Sequence, residues 1–211
     1  MLEDKYADFE KFLAENKGKR KFKQTVELAV NFKGVDFTNQ NNRLNLSILL
    51  PHGRGKASKI AVFASDRSVI EDAQKAGIEV IKAEDIPAIA TDKQKLASLA
   101  KYALLAQPNL MPTIAKYLGQ YLGPRGKMPR PLLPGTSLAK AVDEISRQVV
   151  VKTSGKLLPT VHCPVGTEDM EPKKLFENMQ EVLNNIVAKT GKNSLKSVFV
   201  KLTMSKPLRL M

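Results

Sequence analysis

Two different patterns of apolar residues divide this 211-residue chain and constrain its fold. Near both ends, apolar and polar residues alternate, as in residues 25–32, which predicts strands with one buried face. In the middle, short runs such as residues 60–64 are apolar throughout and are separated by helical segments, which predicts a small parallel sheet. The pattern therefore predicts an α/β domain inserted into a domain that is built from both termini.

The terminal regions contain signals for both helices and strands. Apolar residues at helical spacing predict an amphipathic helix over 2–16: Leu2, Tyr6, Phe9 and Leu13. Strands at 25–32 and 43–50 flank the turn-rich segment 36–42, which predicts an antiparallel ribbon. The remaining terminal elements are predicted as strands at 149–153, 160–166 and 194–203, a helix at 172–189 and an extended tail from Pro207.

The middle region alternates strands and helices. Strands are predicted at 60–64, 79–82 and 102–106. Helices are predicted from a cap at Ser65 or Asp66 through Lys75, at 111–121 and at 138–147. We predict a terminal domain of residues 1–65 and 155–211 and an inserted domain of residues 66–154. An insertion requires two connections, which act as a hinge. The predicted hinge residues are Ser65, Asp66, Ser154 and Gly155.

The charge of the chain favours a polyanionic partner. The formal net charge is +13 and the pI is near 9.8, which favours nucleic acid first and an anionic membrane surface second. The predicted terminal domain has 21 Lys and Arg against 12 Asp and Glu, a net +9. The predicted inserted domain has 13 against 9, a net +4. The terminal domain is therefore the better candidate for the main electrostatic contact.

Several other classes of protein are disfavoured. The first five residues are mixed in charge without an apolar run behind them, so we expect no signal peptide, and no stretch is long enough to span a membrane. The lone Cys163 cannot form an intrachain disulfide, which fits an intracellular protein. Cys163 adjoins His162, but neighbouring strand residues point to opposite faces, and no second pair completes a zinc set. The glycine-rich segment 123–127 lacks the preceding strand and the Lys-Ser/Thr pair of a phosphate-binding loop. We therefore predict no catalytic residue, no metal site and no cofactor.

Three features suit RNA, although each has an ordinary structural explanation. Residues 17–23 hold five cations around Phe22, which suits phosphates and one base or ribose, but this segment could also be a solvated helix end with Phe22 in the core. Glu27 could accept hydrogen bonds from ribose 2′-hydroxyls, or could simply face solvent. Two hydroxyls and a thioether in Thr203-Met204-Ser205 could lie in a shallow minor groove, although their chemistry alone indicates only the end of a strand.

Longer segments resemble one family, the ribosomal L1 proteins of the large-subunit side stalk. They include Phe22-Lys23-Gln24-Thr25-Val26-Glu27-Leu28 and, further on, Leu49-Leu50-Pro51-His52-Gly53-Arg54-Gly55-Lys56. The most specific is Leu118-Gly119-Gln120-Tyr121-Leu122-Gly123-Pro124-Arg125-Gly126-Lys127-Met128-Pro129. The last are His162-Cys163-Pro164-Val165-Gly166 and Val200-Lys201-Leu202-Thr203-Met204-Ser205. These segments cover nearly the whole chain in the family order.

The resemblance implies both a fold and a function. The fold would be a split α+β domain and an inserted Rossmann-like three-layer α/β domain, joined by a double hinge. The protein would bind a junction in large-subunit ribosomal RNA and form the mobile stalk that moves as deacylated tRNA leaves the exit site. It would be cytoplasmic, monomeric when free, and a repressor that binds its own messenger RNA. The RNA-binding residues expected from the resemblance and the basic run are Lys21, Phe22, Lys23, Thr25, Glu27, Ser197, Thr203, Met204 and Ser205.

The sequence also departs from bacterial members of the family. Lys23 and Gln24 stand where the bacterial proteins have Asp and Glu, and Ser205 stands where they usually have glycine. These features resemble archaeal or eukaryotic members. The alternatives are a non-ribosomal RNA- or DNA-binding module and an enzyme whose α/β domain binds a nucleotide.

Overall fold

The computed structural model describes residues 3–133, 137–153 and 158–211. Its internal contacts divide the chain into two compact units. The terminal unit comprises Met1–Lys56 and Arg147–Met211, and the inserted unit is Ala57–Ser146. One sequence-continuous unit thus interrupts the other, and each is described by itself below.

The terminal unit is built on a four-stranded antiparallel sheet in the order β10-β9-β1-β8. Its strands are β1 (Thr25–Phe32), β8 (Thr160–Thr167), β9 (Leu195–Leu202) and β10 (Leu208–Arg209). A separate antiparallel ribbon joins β2 (Asn45–Leu49) to β7 (Gln148–Lys152). The helices of this unit are α1 (Tyr6–Asn16) and α7 (Pro172–Thr190).

One face of the four-stranded sheet holds the core of the terminal unit. Burial alternates strictly along β1, so that Val26, Leu28, Val30 and Phe32 point into the core. Leu175, Met179 and other residues of α7 pack against them, as do Phe9 and Leu13 of α1. The predicted helical stripe of α1 is confirmed from Tyr6 onward, and Leu2 lies outside the described residues.

The predicted ribbon between the first two strands was wrong. β1 pairs with β8 and β9, whereas β2 pairs with β7, from the far side of the insertion. Residues Gln40–Asn42 form a short 3₁₀ helix in the connection, and nearby Phe37 is buried against Phe32. The connection is therefore part of the core and does not form a hairpin turn.

The inserted unit contains a parallel sheet covered on both faces, in the order β4-β3-β5-β6. Its strands are β3 (Ile60–Ala64), β4 (Glu79–Lys82), β5 (Ala103–Ala106) and β6 (Arg130–Pro131). Its helices are α2 (Arg67–Lys75), α3 (Asp85–Thr91), α4 (Lys93–Leu99), α5 (Met111–Leu122) and α6 (Leu138–Arg147).

Two separate cores account for the uniformly apolar central strand. Ala61 and Phe63 of β3 face a cluster formed by α3, α4 and α5. Ile60, Val62 and Ala64 face the opposite cluster, which α2 and α6 cover. Every residue of β3 is consequently buried. This arrangement confirms the predicted three-layer α/β fold.

Both unit boundaries lie earlier in the chain than the sequence predicted, because the inserted unit is Ala57–Ser146 and the predicted inserted domain was 66–154. The first falls before β3, because β3 is the centre of the parallel sheet. The second falls before β7, because β7 pairs with β2 of the terminal unit. Ser65 and Asp66, predicted as hinge residues, therefore lie inside the inserted unit. The predicted partners Ser154 and Gly155 lie outside the described residues.

Candidate nucleic-acid interface

The face of the antiparallel sheet opposite α7 is the candidate interface, and is called the open face below. Its β1 residues are only partly buried, in contrast to the alternate residues that enter the core. The register places three neighbouring strands on this face: Thr25, Glu27, Ala29 and Asn31 of β1; Ser197, Phe199 and Lys201 of β9; Thr160, His162 and Pro164 of β8. The face is therefore a polar surface mounted on a rigid sheet.

Glu27 lies at the centre of the open face. The register sets it opposite Lys201 of β9 on one side and Pro164 of β8 on the other. Its side chain is partly buried, so the sheet fixes the position of the carboxylate while leaving it accessible. A carboxylate held in this way can accept hydrogen bonds from ribose 2′-hydroxyls, which DNA lacks.

Ser197 belongs to a hydrogen-bonded row across the sheet. The Asn31 side-chain amide donates to the Ser197 hydroxyl at 2.9 Å, and the Thr160 hydroxyl donates to the Asn31 amide oxygen at 2.8 Å. Ser197 is 8% exposed. The structure thus places this predicted site residue on the expected face, but mainly as a support for Asn31.

The segment Thr203–Met204–Ser205, called the C-terminal turn below, uses its hydroxyls to hold its own backbone. Thr203 Oγ1 accepts from the Thr25 backbone N–H at 3.1 Å, which fastens the turn to the start of β1. Ser205 Oγ accepts from the Leu202 N–H at 2.9 Å. Met204 is 58% exposed, so the thioether is the group that this turn presents to a ligand.

Gln24 connects the C-terminal turn to Glu168 through hydrogen bonds. Its amide oxygen accepts from the Met204 N–H at 3.2 Å, and its amide nitrogen donates to Glu168 at 3.1 Å. Glu168 Oε1 also accepts from the Gln24 N–H at 3.1 Å. Both side chains are almost fully buried. This pair was absent from the sequence prediction, because Gln24 was noted only as a departure from the bacterial pattern and Glu168 carried no signal.

Residues 17–23, called the basic loop below, are held beside the C-terminal turn. The Gly18 N–H donates to the second oxygen of Glu168 at 3.4 Å, so one buried carboxylate contacts both ends of the loop. Lys21 is exposed, and Phe22 is 50% exposed. The explanation of Phe22 as a core residue is therefore wrong, and its ring is available to a base or ribose.

Lys23 differs from its neighbours because it already has an acidic partner. Its ammonium group lies 2.7 Å from the Asp169 carboxylate. This hydrogen bond and charge pairing raise the pKa of Lys23 and lower the pKa of Asp169. The side chains are 79% and 47% exposed, so the pair is a weak surface contact that a phosphate could displace.

A cleft of about 340 Å³ lies between the basic loop and the C-terminal turn. Its walls are Asn16, Lys19, Arg20, Gln24, Met204 and Ser205. Lys19 and Arg20 were not among the predicted site residues, although the cation density of residues 17–23 was the signal that could have found them. Lys19 and Arg20 thus lie in the same cleft as the exposed Met204 thioether, although almost the whole chain separates them in sequence.

Two features of the structure argue against the enzymatic alternative. His162 is exposed and Cys163 is buried, as their adjacency in a strand predicted. Burial, with a smaller contribution from Glu27, raises the pKa of the Cys163 thiol to about 12, so the thiolate that a nucleophile requires is scarce at neutral pH.

The polar groups at the carboxyl ends of β3 and β5, where a parallel α/β sheet would bind a nucleotide, are bonded to one another. Gln107 accepts from the Ser65 N–H at 2.7 Å and donates to Asp66 at 2.6 Å, and it is 6% exposed. Within the described ranges, no group of three or more His, Cys, Asp or Glu is arranged to hold a metal ion. Nor does any helix in those ranges have the length and apolar character needed to cross a bilayer.

Comparison with known proteins identifies the family of the chain. The model of the Ribosomal protein L1p/L10e family matches residues 13–206, which include the basic loop, the open face and the C-terminal turn. The chain belongs to this family. The L1 match spans both units, so the inserted unit is a family feature as well.

Archaeal relatives match over most of their length. The chain is 45% identical to "Large ribosomal subunit protein uL1" of Thermococcus kodakarensis, over 90% of this chain and 89% of that protein. It is 42% identical to the protein of the same name from Thermoplasma acidophilum, over 94% and 92%. The uL1 of Methanococcoides burtonii is 39% identical, and both chains are covered completely. The predicted resemblance to archaeal-type L1 proteins is thereby confirmed.

Proposed function

We propose that this chain is a large-subunit ribosomal protein whose terminal unit binds a helical junction in ribosomal RNA. The observation that carries the proposal is that hydrogen bonds join three parts of the terminal unit into one surface. Gln24 and Glu168 connect the basic loop to the C-terminal turn, and Thr203 connects that turn to Thr25 on the open face. Membership of the L1 family and the names of the relatives support the same assignment.

The surface fits RNA through a division of roles. Lys19, Arg20 and Lys21 contact phosphates and give affinity that depends on salt. Phe22 and Met204 lie against sugar or base faces in the shallow minor groove. Glu27 accepts hydrogen bonds from ribose 2′-hydroxyls and so distinguishes RNA from DNA, and Asn31 lies on the same face four residues further along β1.

The charge distribution supports the terminal unit as the principal RNA-binding unit. Its two segments contain 22 Lys and Arg against 12 Asp and Glu, a net +10, whereas the inserted unit has 12 against 9, a net +3. These values differ slightly from the sequence estimate because the boundaries moved. A highly charged unit draws RNA by long-range attraction before specific contacts form.

The finer role follows from the family resemblance. In this proposal the protein forms the cytoplasmic ribosome's mobile side stalk and assists the release of deacylated tRNA from the exit site. It is monomeric when free, and its terminal surface also binds a similar junction in its own messenger RNA and represses translation. The two connections near residues 56 and 147 allow the units to open and close.

Matched RNA and DNA hairpins provide the first test. Binding titrations at one salt concentration should show a strong preference for RNA, because only RNA offers 2′-hydroxyls to Glu27. Equal affinity for both would favour a general nucleic-acid-binding module. Chemical footprinting of the protein on large-subunit ribosomal RNA would then locate the junction, and protection scattered over many helices would contradict a specific site.

Met204→Ala tests the C-terminal turn itself. We expect junction affinity to fall about tenfold, in the range of losing one stacking contact. Stability should change by less than about 0.5 kcal/mol, because the side chain is mostly exposed. Leu133→Ala in the inserted unit, where Leu133 is 65% exposed, is the matched control and should leave affinity unchanged. Unchanged binding by Met204→Ala would mean that the turn is only the end of a strand.

A further inference from the structure

The inserted unit contains a long stretch of sequence without a carboxylate. From residue 93 to residue 142 there is no Asp or Glu, whereas eight cations occur there: Lys93, Lys95, Lys101, Lys116, Arg125, Lys127, Arg130 and Lys140. The unit as a whole is only +3, so its positive charge is concentrated in this part of the chain. α5 and the loop 123–128 that follows it lie at the centre of this stretch.

The outer face of α5 displays aromatic and basic groups. Ile114, Leu118 and Leu122 form the buried stripe at helical spacing. On the other side Tyr117 is 43% exposed, and the Lys116 ammonium lies 5.4 Å from the centre of its ring. An exposed tyrosine of this size makes only a partial contribution to the core, so packing alone does not explain its position.

The next turn of the helix adds a second flat group. Tyr121 follows Tyr117 by four residues and packs partly against the core. The Arg125 guanidinium lies 3.7 Å from the centre of the Tyr121 ring, and its Nη1 donates to the Tyr121 carbonyl oxygen at 2.9 Å. Arg125 is exposed, so the guanidinium has one side on the ring and the other toward solvent.

The loop after α5 leaves room for a ligand to approach. Gly126 has a φ of +63°, and a Cβ added there would meet no atom within 4 Å. Met128 is 37% exposed, and Pro129 behind it is buried. The neighbouring helix α3 contributes one carboxylate, Asp85, in its first turn. Glu84 and Asp92 flank α3 at its two ends, whereas α5 and its loop carry Lys116, Arg125 and Lys127 and no carboxylate, so α5 and its loop are the cationic part of this pair of helices.

We propose that Tyr117, Arg125, Lys116 and Lys127 form a second RNA-binding site, distinct from the terminal surface, which takes one or two unpaired nucleotides. The Tyr117 ring and the free face of the Arg125 guanidinium each provide a plane on which a base stacks. Lys116 and Lys127 neutralise the flanking phosphates. An acidic peptide would satisfy the cations but would leave the two planes unused, which is why RNA fits better.

The absence of tryptophan makes a local reporter available. In full-length protein, Tyr117→Trp introduces a single tryptophan whose fluorescence a stacked base quenches. Titration with a ten-nucleotide oligoadenylate should give saturable quenching. Inorganic polyphosphate of equal charge should compete for the cations without quenching. A glutamate decapeptide tests the acidic-peptide alternative and should bind weakly.

Additional substitutions in the Tyr117→Trp protein identify the residues that contribute to oligoadenylate binding. In the Tyr117→Trp background, Arg125→Gln should weaken oligoadenylate binding at least fivefold, and Lys127→Gln should reduce the salt slope by about 0.7. Met204→Ala in the same background is the control for the terminal surface and should leave the quenching curve unchanged. A melting curve for each variant verifies folding.

Three results would overturn the proposal. Absence of quenching by oligoadenylate would show that no base stacks at residue 117. Equal binding of polyphosphate and oligoadenylate would reduce the site to a patch of charge. Tighter binding of the glutamate peptide would identify the partner as an acidic protein segment. RNA binding by the terminal surface is measured separately, with junction RNA and the Met204→Ala variant. A negative result with oligoadenylate would therefore contradict only the second site and not the function proposed for the terminal unit.

Discussion

The two sheets of this molecule differ in how many faces they bury. The parallel sheet of the inserted unit has helices on both sides, and every residue of its central strand is buried. The antiparallel sheet of the terminal unit is covered on one side only, and its other side displays Glu27 and Asn31. A sheet with a free face offers ordered polar side chains to a ligand, whereas a fully covered sheet leaves ligand contacts to helices and loops.

The same difference explains where each unit places its chemistry. In the terminal unit, β1 and β9 fix the polar groups, and the C-terminal turn adds Met204 at the strand end. In the inserted unit helices cover both faces of the sheet, and the exposed aromatic ring of Tyr117 lies on α5. Substitutions of equal chemistry in both units can therefore separate stability from recognition.

The largest expected effect comes from matched core truncations. Leu28 in β1 and Leu118 in α5 are both 0% exposed. Leu28→Ala and Leu118→Ala should each cost about 2–5 kcal/mol of unfolding free energy, measured by urea denaturation. Only Leu28→Ala should also weaken junction RNA binding, because it lies beneath the open face. Equal loss of RNA affinity in Leu118→Ala would contradict the assignment of the junction to the terminal unit alone.

A smaller effect is expected at the buried carboxylate that supports the RNA surface. Glu168→Ala removes the acceptor for the Gln24 N–H and side-chain amide, which are left buried. We expect a loss of about 2–3 kcal/mol in stability and a fall in RNA affinity, because the basic loop is no longer fixed. Urea denaturation and RNA titration measure the two effects.

The matched control is Glu171→Ala, three residues further along the chain. The Glu171 side chain is 69% exposed and pairs with Lys174 on the surface, so its removal should change stability by less than about 0.5 kcal/mol. If Glu168→Ala were as mild as this control, Gln24 and Glu168 would not be the connection that unites the surface.

The sequence predicted features that depend on local pattern and missed those that depend on distant pairing. The alternation in β1 and the uniformly apolar β3 follow directly from one covered face against two. The pairing of β2 with β7 was missed because almost a hundred residues separate the strands, and neighbouring strands pair more often than distant ones. The unit limits differ from the predicted boundaries for the same reason, since each limit depends on which sheet a strand joins.

Prediction of the candidate site was limited in the same way. Phe22 and Met204 are exposed as a binding role requires, and their positions followed from the family resemblance. The role of Thr203 and Ser205 as fasteners of the turn could not be inferred, because a hydroxyl has the same identity whether it contacts backbone or ligand. The role of Glu168 could not be predicted from the sequence, because a carboxylate is ordinarily exposed. Only the fold shows that Glu168 is buried and accepts hydrogen bonds from backbone N–H groups.

The smallest expected effect distinguishes cations already paired from cations available to RNA. Asp169 holds Lys23 at 2.7 Å, whereas Lys21 is exposed beside it. Asp169→Asn should release Lys23 to a phosphate, steepen the salt dependence of RNA binding by up to about one unit and increase affinity at low salt. Lys23→Gln should change the slope little, and the double variant should cancel the gain of Asp169→Asn, which a double-mutant cycle measures.

The pairing lowers the pKa of Asp169, so its charge is present above the ordinary aspartate pKa and is lost only as the pH falls through the lowered folded value. RNA affinity of the original protein should therefore rise as the pH falls through that value, whereas Asp169→Asn should lack this rise. An unchanged salt slope in Asp169→Asn would mean that Lys23 lies outside the RNA contact, and that the interface begins at the cleft lined by Lys19 and Arg20.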